Sequence, residues 1–143
     1  MNIAIATSST DIERCFPVMV QLRTHLSREQ FIEQVQLQQK QGYHLAYLED
    51  CGEVRSLAGF HFFNMLAFGR MMYVDDLVTA QDQRSHGYGG RLFDWLVERA
   101  RTEACVQLHL DSGVQRFDAH RFYLAQRMRI SSHHFALNLD ANP

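Results

Sequence analysis

No run of apolar residues in the sequence approaches the ~20 needed to cross a bilayer, so no membrane partner is expected. The N-terminal stretch Met1-Asn2-Ile3-Ala4-Ile5-Ala6 lacks the basic start and long apolar run of a signal peptide, and a cytoplasmic location is expected. Neither sign of charge is in excess: the formal net charge is −2. That leaves no electrostatic footprint for nucleic acid or an anionic membrane surface. Cysteine is sparse, with Cys15, Cys51 and Cys105 widely spaced and odd in number, which fits free thiols in a reducing compartment rather than a disulfide framework. There is no C-x-x-C and no H-E-x-x-H, and the adjacent His133 and His134 would face opposite ways on a strand, so no metal site is expected.

What is present is the pattern of a single α/β domain spanning residues 1–143. Ile3 to Ala6 suits a first strand. Thr10-Asp11-Ile12-Glu13 reads as a capping box before a helix that carries Ile12, Cys15, Phe16, Met19 and Leu22, with Pro17 expected to kink it or split off its first turn. Ser27-Arg28-Glu29-Gln30 reads as a second capping box, and Gly42 ends the helix behind it. Tyr43 to Glu49 alternates with period two, and Asp50-Cys51-Gly52 reads as a hairpin turn. Val54 to Met65 is a longer strand, in which Ala58-Gly59 suggests a bulge or bend. Phe60, Phe62, Phe63 and Met65 would suit an apolar acceptor wall, although core packing accounts for most of them. Met71 to Thr79 follows as a third antiparallel strand. A glycine-rich turn then opens into an amphipathic helix from Leu92 to about Arg101. Val106 to Leu110 is reached by a helical crossover and should pair parallel to Met71–Thr79. Asp118 to Gln126 reads as a helix and His134 to Leu139 as a closing strand.

The chemistry-bearing stretch is Tyr73-Val74-Asp75-Asp76-Leu77-Val78, followed by Arg84-Ser85-His86-Gly87-Tyr88-Gly89-Gly90-Arg91-Leu92. A strand that feeds a glycine turn and a helix N-terminus presents unpaired amides and a favourable dipole to an anion. The turn is no dinucleotide fingerprint, because Leu92 stands at the third glycine. It has no G-K-[ST] either, which excludes a nucleotide P-loop.

Arg84-x-x-Gly87-x-Gly89, set between an apolar-acidic strand and an amphipathic helix, resembles the [QR]-x-x-G-x-[GA] motif of the GNAT superfamily of acetyl-CoA-dependent N-acetyltransferases. Ala119-His120-Arg121-Phe122-Tyr123 resembles that family's A-x-x-F-Y signature, and the order of elements fits across almost the whole chain. The resemblance implies a mixed, mostly antiparallel sheet flanked by helices and splayed between the motif strand and the parallel strand after it. It implies acetyl-CoA as cosubstrate. The pyrophosphate would lie on the amides of Arg84, Ser85, His86, Gly87, Tyr88, Gly89 and Gly90, with His86 and Tyr88 as exposed neighbours. The pantetheine arm would pair with the backbone of Leu77 and Val78, and a donor there would hold the thioester carbonyl, a contribution of ~3 kcal/mol in comparable sites. Homodimers are common in the family and are the assembly that analogy suggests.

Transfer to an amine requires that an ammonium with a pKa near ~10.4 lose a proton before attack, and the departing thiolate benefits from an acid. The resemblance gives the second task to Tyr123, whose alternative is a core-facing aromatic with a satisfied hydroxyl. For the base, Asp75 and Asp76 are expected to alternate faces, with Asp76 the first choice, Asp75 the second, and His61 and His44 next through a water. An acid in the pocket favours a cationic acceptor, and a small-molecule primary amine is preferred over a lysine or N-terminal amine of a protein. A non-catalytic acyl-CoA-binding module is the alternative of a different class. Arg127 and Arg116 stand where the family often has Gly and Asn. If the helix exit needs a left-handed residue there, Arg127 costs up to ~1 kcal/mol.

Overall fold

A computed structural model describes residues 1–140. These fall into two compact units, Met1–Leu110 and the residues from Asp111 onward.

The first unit begins with β1 (Asn2–Ile5) and α1 (Ser9–Leu22). The box that caps α1 is Ser8 with Asp11, two residues upstream of the expected one, since Ser8 Oγ accepts from the Asp11 amide and the Asp11 carboxylate from the Ser8 amide. α1 is not split at Pro17: Cys15, Val18 and Met19 on either side of it are buried, and that packing holds the helix together across the missing donor. α2 (Arg28–Gln39) carries the expected Ser27–Gln30 box, and Gly42 follows in the left-handed region at φ 96°. Next come β2 (His44–Asp50), β3 (Glu53–Met65) and β4 (Gly69–Thr79). Cys51 and Gly52 both have positive φ, as a two-residue hairpin turn requires. A single 3-10 turn, Gln81–Gln83, leads to α3 (Tyr88–Thr102) and β5 (Gln107–Leu110). α3 starts four residues before Leu92, so Gly89 and Gly90 lie in its first turn.

The sheet is mixed, with strands in the order β1-β2-β3-β4-β5, antiparallel except for the parallel β4–β5 pair. α1 and α2 pack on the face that carries Leu45, Tyr47, Leu57 and Val78. α3 lays Leu92, Leu96 and Ala100 on the opposite face, against Ala46, Leu48, Ala58, Phe60, Met72 and Val74. The period-two alternation of the strands therefore feeds two cores, one on each side of the sheet.

In the second unit, α4 (Phe117–Ala125) ends in a left-handed residue, Arg127, at φ 65°. The amide of Arg127 donates to the Leu124 carbonyl at 3.0 Å and that of Met128 to the Tyr123 carbonyl at 3.1 Å, the two bonds of a Schellman exit. The closing strand expected at His134–Leu139 does not form: no strand is assigned there, and Phe135, Leu137 and Leu139 are exposed. Alternation alone cannot supply the ladder partner that a strand also needs.

Candidate active site

The acidic pair on β4 sits at a fault in the sheet. Phe60 pairs with Val74 and Gly59 with Asp76, so Asp75 is the extra residue of a β-bulge. The fault corrects the expectation that the two acids face opposite ways. Asp75 Oδ1 lies 2.9 Å from His61 Nδ1, while Asp76 Oδ2 accepts from the Tyr43 hydroxyl at 2.7 Å. The His61 and Tyr43 rings are themselves 5.4 Å apart, so both carboxylates open on the face of α1 and α2. Beyond the bulge Leu77 packs with the α3 core and Val78 with the other.

The two carboxylates differ in their surroundings. Both oxygens of Asp76 are engaged, Oδ2 by Tyr43 and Oδ1 by Arg23 Nε at 2.8 Å, and the side chain is only 13% exposed. Arg23 caps the C-terminus of α1 and also donates through Nη2 to the Asp75 carbonyl at 2.9 Å. Asp75 is 30% exposed and bonded to His61. Burial pushes its carboxyl above the usual range, the His61 hydrogen bond and charge pull it back, and the Asp76 charge adds to the rise. Burial, then the charge of Asp76, holds the Tyr43 hydroxyl well above its ordinary value, so it stays a donor. Gly59 makes room for it: a Cβ there would overlap the Tyr43 hydroxyl and ring. His44 takes no part, being stacked on Phe60 on the α3 face at 5.2 Å.

The same fault marks where β4 and β5 part. Their pairing ends at Val74↔Leu110, whereas β4 runs on to Thr79. The Ala80 amide donates to the Arg55 carbonyl at 2.9 Å and the Val78 carbonyl accepts from Ser56 Oγ at 3.0 Å. Both residues turn their backbone toward β3, and alternation turns the amide and carbonyl of Leu77 to the open edge. Val78 is expected beside Leu77 as a backbone partner; its carbonyl is held by Ser56 Oγ and its side chain packs in the core of α1 and α2.

After β4 the glycine turn carries Ser85 at φ 70° and Gly87 at φ 79°, with Arg84, Ser85, His86 and Gly87 exposed. Gly87 is the N-cap of α3 and supplies no side-chain oxygen, and the first turn holds no acidic residue. Its amides are left to an outside acceptor. A Cβ at Gly87 would meet no atom within 4 Å, so the space in front of the turn is open. The turn therefore fits a diphosphate. His86 is exposed as expected, but Tyr88 is not: it is 9% exposed, and its hydroxyl donates to Asp50 Oδ2 at 2.8 Å, tying the helix start to the end of β2. Among the described residues no group of His, Cys, Asp or Glu converges as a metal site, and no helix is long and apolar enough to cross a membrane.

In the second unit Tyr123 lies on α4, and burial raises its hydroxyl above the ordinary value, against a smaller pull from Arg116. Arg116 is the N-cap of α4 without a side-chain cap bond. Sequence reasoning missed Tyr43 and Arg23. Gly59 is a signal for the first, because a glycine amid strand formers invites a close neighbour. Arg23 meets Asp76 across 53 positions of sequence, and nothing local announces it.

Comparison with known proteins identifies the family and the fold. The model of the family described as "Acetyltransferase (GNAT) family" matches residues 9–127. The uncharacterized N-acetyltransferase YhdJ of Bacillus subtilis (strain 168) is 36% identical over 118 residues, 82% of this chain and 83% of its own. Two solved structures share the fold. A transcriptional regulator from Bacillus halodurans C-125 has a TM-score of 0.81 at 21% identity, covering 96% of this chain and 99% of its own. A ribosomal-protein-alanine N-acetyltransferase from Brucella melitensis biovar Abortus 2308 has a TM-score of 0.83 at 16% identity, covering 97% and 100%. The protein is an acetyltransferase. It belongs to the GNAT family, whose members use acetyl-CoA as acyl donor.

Proposed function

We propose that this chain moves the acetyl group of acetyl-CoA to the primary amine of a small molecule by direct attack, in the cytoplasm. The observation that carries the reading is the bulge at Asp75, which gathers two carboxylates, one guanidinium and one imidazole on a single face where β4 leaves β5. Two carboxylates, Asp75 and Asp76, face the single guanidinium of Arg23 there, a balance that favours an ammonium.

In this reading Asp75, not Asp76, is the base. Its carboxylate is bonded to His61, and burial has raised the proton affinity of that carboxyl toward that of a working base. Asp76, closed off by Tyr43 and Arg23, positions the bulge. The turn from Arg84 through Gly90 holds the diphosphate on its amides, and the Leu77 amide receives the acyl oxygen. Acetyl-CoA supplies an activated thioester when bound. Tyr123 keeps the role that the family resemblance gives it, donor of a proton to the departing thiol, and its raised pKa keeps that proton in place at neutral pH.

Thiol release from acetyl-CoA, measured over small primary amines and over peptides with a free N-terminus or lysine, tests this. Asp75→Asn should lower kcat/KM by ~10²–10⁴-fold, and Tyr123→Phe should lower kcat by ~10²-fold. Turnover confined to peptides would refute the small-molecule acceptor. Undiminished turnover in Asp75→Asn would remove the proposed base.

A further inference from the structure

The face that carries the acids does not end at them. His61, Phe63 and Met65 alternate along β3 and share one side of the sheet. Their neighbours Phe60 and Phe62 point to the other side and pack in the α3 core. The rings on the acidic side form a row: Tyr43 and His61 have centroids 5.4 Å apart, and His61 and Phe63 are stacked at 5.4 Å with 17° between planes. One end of the row is bonded to Asp76 and its middle to Asp75. Its far end is open, with Phe63 and Met65 each 44% exposed. A stacked, preformed apolar surface that runs directly from a carboxylate–imidazole pair matches a ligand with an amine at one end and an apolar body at the other.

We propose that the acceptor is a primary amine joined to an aromatic or branched apolar group, which rests on Phe63 and Met65 while the amine meets Asp75 and His61. Alternate residues on a strand are about 7 Å apart, a reach that suits a two- or three-carbon link between amine and ring. The inference rests on the acetyl-transfer reading above and names the acceptor class for that site.

The test uses the full chain, acetyl-CoA and primary amines with apolar or polar bodies: 2-phenylethylamine and isopentylamine against ethanolamine and putrescine. The kcat/KM for the apolar pair should exceed that for the polar pair by about tenfold or more, and Phe63→Ala should lower that ratio by about tenfold. Phe63→Leu, which keeps an apolar side chain, should restore most of it. Equal turnover of the two pairs, or a Phe63→Ala variant that keeps the preference, overturns the subsite while leaving the acetyl-transfer reading intact. No turnover of any small amine, with peptides acetylated instead, overturns both the subsite and the small-molecule acceptor. Phe63→Ala that converts a dimer to a monomer without moving the preference assigns the face to a second copy and also overturns the proposal. Thermal unfolding of each variant shows that folded protein is being compared.

Discussion

Gly59→Ala is the smallest change that tests how the acidic pair is held. Tyr43 is 3% exposed and its hydroxyl donates to Asp76 at 2.7 Å. A methyl on Gly59 would overlap that hydroxyl and the ring edge, so Tyr43 must leave its place. The lost hydrogen bond to a charged acceptor is worth ~1.5–3 kcal/mol. The displaced ring gives up part of the ~1.5–3 kcal/mol of a buried large side chain. Against these losses, Gly59 has no positive φ, and alanine in a strand interior is better than glycine by ~0.5–1 kcal/mol. The net is a destabilisation of about 2–4 kcal/mol, a fall in Tm of about 5–15 °C for a chain of this size. The decisive assay is a double-mutant cycle by urea or thermal unfolding, with Tyr43→Ala as the second background. There the methyl enters vacated space, and Gly59→Ala should cost nothing or stabilise slightly. An equal loss in both backgrounds would refute the steric account, and with it the claim that Gly59 exists to seat Tyr43 on Asp76.

His61→Phe keeps the rings stacked but removes the hydrogen bond and charge that pull the Asp75 carboxyl down, so its pKa should rise further. A base must be ionised, so the acidic limb of kcat/KM against pH should move to higher pH in this variant; an unmoved limb, or one at lower pH, would dissociate Asp75 from catalysis. Gly87→Asp sets a negative side chain at the uncapped start of α3, where φ is 79°, and should raise the KM for acetyl-CoA at least tenfold; unaltered affinity would count against the diphosphate assignment. Arg127→Gly relieves a left-handed residue at the Schellman exit of α4 and should stabilise the protein by ~0.5–1 kcal/mol in denaturant unfolding, whereas a loss would mean that the arginine side chain does more than fill the position.

The parts legible in the sequence are those set by short-range pattern. The Ser27–Gln30 cap, the Cys51–Gly52 turn and the alternation of His44–Asp50 each depend on neighbours within a few positions. The parallel β4–β5 pair followed from the amphipathic helix between them. Errors came where distant chemistry decides. The cap is a local exception: Ser8 with Asp11 and Thr10 with Glu13 both offer a box, and the Ser8 box is the one that forms. Tyr88 was expected at the surface and is buried because Asp50, on another strand, receives its hydroxyl. The two acids share a face because the strand breaks its alternation at Asp75, which pattern alone does not reveal.

The break at Asp75 has a physical cause in the apolar pattern of β4. Val74 and Leu77 both pack on the α3 side of the sheet, yet they are three positions apart, an odd spacing that no regular strand places on one face. Val78 must meet Leu57 on the other side, which a regular continuation from Val74 would also forbid. The apolar pattern Val74-Asp75-Asp76-Leu77-Val78 can be satisfied on both cores only if one residue between Val74 and Leu77 is left out of the count, and Asp75 is that residue. One insertion therefore does three things. It turns both carboxylates to the face of Tyr43 and His61, it coincides with the end of the β4–β5 ladder at Val74, and it leaves Leu77 with its amide on the open edge. The proposed base, the proposed acyl-oxygen donor and the gap in the sheet are not three separate devices. They follow from a single misfit between hydrophobic pattern and strand period.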